Sequence, residues 1–71
     1  MINVWDYQDV EEVVKITDVN GQVYIGTISE IVDAEEESTD YGFGEDSIGI
    51  ECRLGYLGLP QSAIKSIEII K

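Results

Sequence analysis

Histidine is absent from this 71-residue chain, and only four side chains carry a positive charge. Without histidine there is no side chain that titrates near neutral pH in its ordinary state, the group most often used for general acid and base catalysis. The Cys/His spacings of structural zinc sites are excluded with it. The lone cysteine, Cys52, has no internal disulfide partner. It falls on the apolar parity of a strand with no base beside it, which reads as a small buried hydrophobe rather than a nucleophile. No nucleophile and base can be paired, so the expectation is a protein that is not an enzyme, with no catalytic residue, no metal and no cofactor. No apolar run approaches the ~20 residues that cross a bilayer. The N-terminus has no basic stretch followed by an apolar one, and the expected location is cytoplasmic, away from membranes.

What the chain does hold is acid. Fifteen carboxylates against four bases give a net charge of −11. Residues 1–46 carry thirteen of the acids and one base, Lys15, whereas 47–71 carry Glu51 and Glu68 against Arg53, Lys65 and Lys71. Such a field repels polyanions, which counts against a nucleic-acid partner, and favours solubility or a basic protein partner. A single domain this short buries only about 60% of its unfolded surface. With no disulfide or metal to help, association of like chains is the remaining source of stability, and a homo-oligomer is expected.

The pattern along the chain is mostly β. Residues 3–12 read as a short helix, with Asn3 as N-cap and Asp6 three residues on. From Val13 the period changes to two: Val14 and Ile16 point one way, Lys15 and Thr17 the other. Asn20-Gly21 then marks a hairpin, since both residues tolerate the positive φ of a tight turn. Tyr24, Gly26 and Ile28 continue the alternation. By Ile31 and Val32 the apolar parity has slipped by one, which predicts a bulge or bend in a long strand. Residues 34–46 hold six carboxylates and two glycines and break every apolar period, so they form a long acidic loop. Ile48, Ile50, Cys52 and Leu54 alternate cleanly. Gly55 permits a turn, Leu57 and Leu59 make a short strand that stops at Pro60, and a single turn over residues 60–63 leads to a last strand through Ile64, Ile67 and Ile69. The fold class is all-β in the main: one domain over residues 1–71, a short N-terminal helix and then a five-stranded, strongly bent antiparallel small barrel.

The frame formed by Val14, Ile16, Gly21, Tyr24, Gly26 and Ile28, with Ile31 near a later aromatic position, resembles the first motif of the Sm-like proteins. Ile64-Lys65-Ser66-Ile67 resembles the end of their second. The resemblance covers about Val13 to Ile70 and implies an Sm-like barrel of the wider SH3-like type. Several positions depart from it. Asp18 stands where the family has a buried leucine, and Asp33 falls one residue later than the family's aspartate. The Met-Asn segment that helps hold an RNA base is replaced by the acidic loop, and the Arg-Gly pair of the RNA pocket would fall on Pro60-Gln61. Recognition of RNA needs a cation or aromatic to stack a base and positive charge for phosphates. The fold therefore carries over and the RNA site does not.

The resemblance also implies assembly, because in Sm-like rings the fourth strand of one subunit pairs with the fifth of the next. Here the candidate edges give Tyr56, Leu57, Leu59, Ile67, Ile69 and Ile70 as subunit-interface residues, unpaired strand edges being a liability that association removes. The expected role is structural, scaffolding or protein binding. An alternative is a monomeric SH3-like module that holds a basic protein or peptide against the acidic loop, with Tyr41, Phe43, Glu45 and Asp46 as partner contacts. A third is an Sm-like protein that binds RNA through another face. Acid-rich residues 33–46 could also take Ca²⁺, but their spacing matches no calcium loop.

Overall fold

The computed structural model describes residues 2–34, 45–53 and 55–70. Five strands follow one another: β1 (Val13–Asp18), β2 (Val23–Val32), β3 (Ser47–Cys52), β4 (Gly55–Pro60) and β5 (Ile64–Ile69). They make one antiparallel sheet in the spatial order β4-β3-β2-β1-β5. Consecutive strands are neighbours from β1 to β4. The exception is β5, which crosses from the β4 end of the sheet to lie beside β1.

The inward face follows from the alternation. Val14 and Ile16 of β1 are fully buried, opposite Ile67 of β5 on one side and Gly26 and Tyr24 of β2 on the other. Ile48 and Ile50 of β3 and Leu59 of β4 join them in a single cluster. Among the described residues the only other element set on this face is the short N-terminal turn, which contributes Val4. One sheet and the N-terminal turn thus share a single apolar cluster.

Two register shifts interrupt the ladders, and irregularities of this kind bend a strand. Between Ile28 and Glu30 the pairing with β3 skips a residue, leaving Ser29 unmatched, which is where the slip of apolar parity predicts a bulge. A second shift, between Thr17 and Asp18, leaves Lys65 of β5 unmatched. The close approach of β2 and β3 depends on Gly26. A Cβ there would overlap the carbonyl oxygen of Glu51 and lie 2.8 Å from its carbon, so only glycine lets β3 approach β2 this closely.

The N-terminus departs from expectation. In place of a helix over 3–12 there is a 3₁₀ turn over Val4–Tyr7. The cap is as read: the Asn3 side chain accepts from the Trp5 N–H at 3.1 Å. Beyond Tyr7 the chain offers Asp9, Glu11 and Glu12 where a helix C-terminus favours cations, and no base in the last turn. Valine, tryptophan and tyrosine are weak helix formers besides, so the turn stops once Val4 is buried. Tyr7 and Val10 still pack against the core.

The β1–β2 hairpin also closes differently. Only Gly21 has a positive φ, +87°, and Asn20 does not. Gly21 N–H donates to Asp18 C=O at 3.0 Å and Asp18 N–H to Gln22 C=O at 2.8 Å. The loop is a tight turn followed by a left-handed glycine, the three-residue solution to hairpin twist.

Candidate functional site

Three places could carry function: the ends of the sheet, the acidic groups around the N-terminal turn, and an open cleft beside β2.

The sheet ends are β4 and β5, since among the described residues neither pairs with a further strand. Their exposed apolar side chains include Tyr56 at 49%, Ile69 at 39% and, just past the end of β5, Ile70 at 41%; Ile69 stands opposite buried Val14 and so lies at the rim of the core-facing side. Leu57 is half-buried, and Leu59 and Ile67 are core residues of the single chain. Of the six residues expected at an interface, three are therefore exposed in the single chain. The Tyr56 hydroxyl donates to the Glu30 carboxylate across β3, which fixes the ring on the outer face. Val13, Val23 and Ile25 add exposed aliphatics to that same face of β1 and β2.

The acidic groups turn inward rather than outward. Asp46 stands just before β3, and its Oδ2 accepts from the Trp5 indole N–H at 2.9 Å while Oδ1 accepts from the Ala34 N–H at 2.9 Å. The Ala34 amide, and after it the Trp5 indole, hold the Asp46 carboxyl below the usual carboxylate range against a small opposing effect of burial. Its backbone C=O also accepts from Gln61 N–H, and the Gln61 side-chain oxygen accepts from Val4 N–H at 3.0 Å. Glu45 accepts from the Ser62 N–H at 2.6 Å and its hydroxyl at 2.9 Å. These two carboxylates, expected at a partner surface, bind the N-terminal turn and the connecting turn (Gln61–Ala63) to the start of β3. Tyr41 and Phe43, the other two expected partner contacts, lie outside the described residues.

Sequence reasoning singled out Asp18 only as a departure from the resemblance. The structure gives it a task. It is 7% exposed, and its Oδ1 accepts from the N–H groups of Asn20 at 2.8 Å and Gln22 at 2.9 Å. The signal was present: aspartate two residues before Asn-Gly is an Asx-turn pattern. The Tyr24 hydroxyl lies 2.7 Å from Gln22 Oε1 and 3.4 Å from Asp18 Oδ2, and its one proton goes to the shorter contact. Burial first, then the Asp18 charge, pushes the Tyr24 phenol up from its ordinary value.

Beside Tyr24 a shallow cleft of about 510 Å³ is lined by Val23, Tyr24, Ile25, Cys52 and Arg53. Cys52 is partly exposed, and its thiol donates weakly to Gly55 C=O at 3.4 Å. Among the described residues no group of three or more Cys, Asp or Glu side chains comes together to hold a metal ion, and no helix is long and apolar enough to cross a membrane.

No known protein family, curated protein or solved structure matches this chain.

Proposed function

We propose that this chain is a non-enzymatic, Sm-like small barrel that assembles with copies of itself in the cytoplasm, β4 of one copy pairing with β5 of the next, in a structural or scaffolding role. The observation that carries the reading is the strand order, which leaves β4 and β5 at the two ends of the sheet with Tyr56, Ile69 and Ile70 exposed along them. Free strand edges bordered by aliphatics are templates for pairing with another chain. A contact between two different edges repeats from copy to copy and closes into a ring when the rotation allows.

The polar groups favour this over recognition of a basic peptide at the acidic segment. Glu45 and Asp46 spend their carboxylate oxygens on the N-terminal and connecting turns. RNA binding draws no support either, because Pro60 ends β4 and Gln61 opens the turn after it, and the Gln61 side chain is committed to Val4.

Absolute mass by light scattering after size exclusion tests the reading. A discrete oligomer is expected, and Ile69→Lys, which places a charge on the free edge, is expected to reduce it to monomers with an unchanged circular dichroism spectrum. A wild-type monomer at both low and high salt overturns the proposal, and so does an oligomer that Ile69→Lys leaves intact.

A further inference from the structure

The cleft beside β2 combines three features that no part of the assembly reading uses. First, it borders an unfinished strand edge. The ladder between β2 and β3 ends at Gly26 and Cys52, whereas β2 continues to Val23 in register with β1 on its other side. The bond from Asp18 N–H to Gln22 C=O fixes the phase of the β1–β2 ladder. Gln22, Tyr24 and Gly26 therefore turn their backbone groups toward β1, and Val23 turns its N–H and C=O the other way, where no strand lies among the described residues.

Second, the outer wall is apolar and open. Val23 and Ile25 are 47% and 51% exposed and share one face of β2, being two residues apart. Third, Arg53 stands at the wall on the β3 side. In a chain with fifteen acids and four bases, Arg53 takes part in no ion pair among the described residues. An available guanidinium is a preferred site for a carboxylate, which it grips through two parallel hydrogen bonds.

We propose that this cleft binds an extended segment of a partner protein in which an aliphatic residue and a single carboxylate are two positions apart. The segment adds as a short strand to the open end of β2. Its backbone pairs with Val23, its aliphatic side chain covers Val23 and Ile25, and its carboxylate meets Arg53. The two side chains fall on the same face because strand periodicity is two. One carboxylate is specified rather than an acidic run, since the net charge of −11 repels a polyanionic segment on approach.

The experiment titrates the full-length ¹⁵N-labelled chain with the peptide acetyl-Thr-Val-Thr-Glu-Thr-amide and with its counterpart carrying Lys for Glu. Saturable amide shifts centred on Val23, Ile25, Cys52 and Arg53 are expected with the Glu peptide alone. Arg53 is exposed in a turn, so Arg53→Glu should keep the fold; it is expected to weaken the Glu peptide at least ten-fold and to favour the Lys peptide. Absence of saturable shifts, shifts centred on β4 or β5, or an order of preference that Arg53→Glu does not reverse would each overturn the proposal. Because the cleft lies on neither end strand, this result is independent of whether the chain assembles.

Discussion

Asp18 occupies a buried position that a hydrophobic residue would ordinarily fill, and it is tolerated there because its oxygens are used. Two backbone N–H groups of the hairpin loop converge on Oδ1, and hydrogen bonds to a charged acceptor contribute about 1.5–3 kcal/mol each when their loss leaves a donor unpaired. Part of that loss is recovered if the freed N–H groups turn to water, as exposed Asn20 and Gln22 allow. Asp18→Leu, which installs the residue that the Sm-like resemblance anticipates, is accordingly expected to destabilise the chain by roughly 2 kcal/mol. In a domain of this size that lowers the melting temperature by about 8–16 °C, and thermal unfolding followed by circular dichroism checks it. An unchanged or raised melting point would mean that apolar burial outweighs the loop's hydrogen bonds. That Asp18 departs from the pattern was legible in the sequence. Its use was not, because the two donors it serves become neighbours only when the chain turns.

Among the elements, β2 shows best what sequence alone can and cannot convey. Its length, its glycine and its break in parity were all readable, since a strand exposed on one face and partly buried on the other writes its bulge into the apolar pattern at Ile28, Ile31 and Val32. The contact that makes Gly26 necessary belongs to β3, twenty-five residues away, and no local signal announces it. Gly26→Ala is expected to cost on the order of 2–4 kcal/mol, because the added methyl meets backbone rather than a side chain that could swing aside. Urea unfolding measures this, and a loss below about 0.5 kcal/mol would show that β3 can back away cheaply. The N-terminal turn illustrates the opposite failure. Val4, Tyr7 and Val10 have helical spacing, yet they pack as a 3₁₀ turn and an extended tail. Periodicity places apolar groups on one side, but it does not supply the missing cations or the helix-forming residues that would sustain ten residues of helix.

For the whole molecule the governing quantity is charge. Copies that each carry −11 repel one another, so pairing of β4 with β5 should tighten as salt screens them, whereas a complex with a basic partner would weaken. The same charge complicates acid stability. Asp46 has a folded-state pKa below its ordinary value, so its contribution is complete above about pH 4 and is lost as the pH falls through the folded value. Protonation of the other carboxylates relieves repulsion over the same range and works in the opposite direction. Comparison with Asp46→Asn isolates the one group: the variant is expected to be less stable at pH 7 and to lose less than the wild type between pH 7 and pH 3. Parallel pH profiles would contradict the role given to Asp46. The chain is well equipped to report this. Trp5 is its sole tryptophan, and the indole N–H reaches across 41 residues of sequence to Asp46. Its emission is therefore an optical gauge of whether the first turn is seated on the sheet, a native fluorophore wired to the closure of the fold.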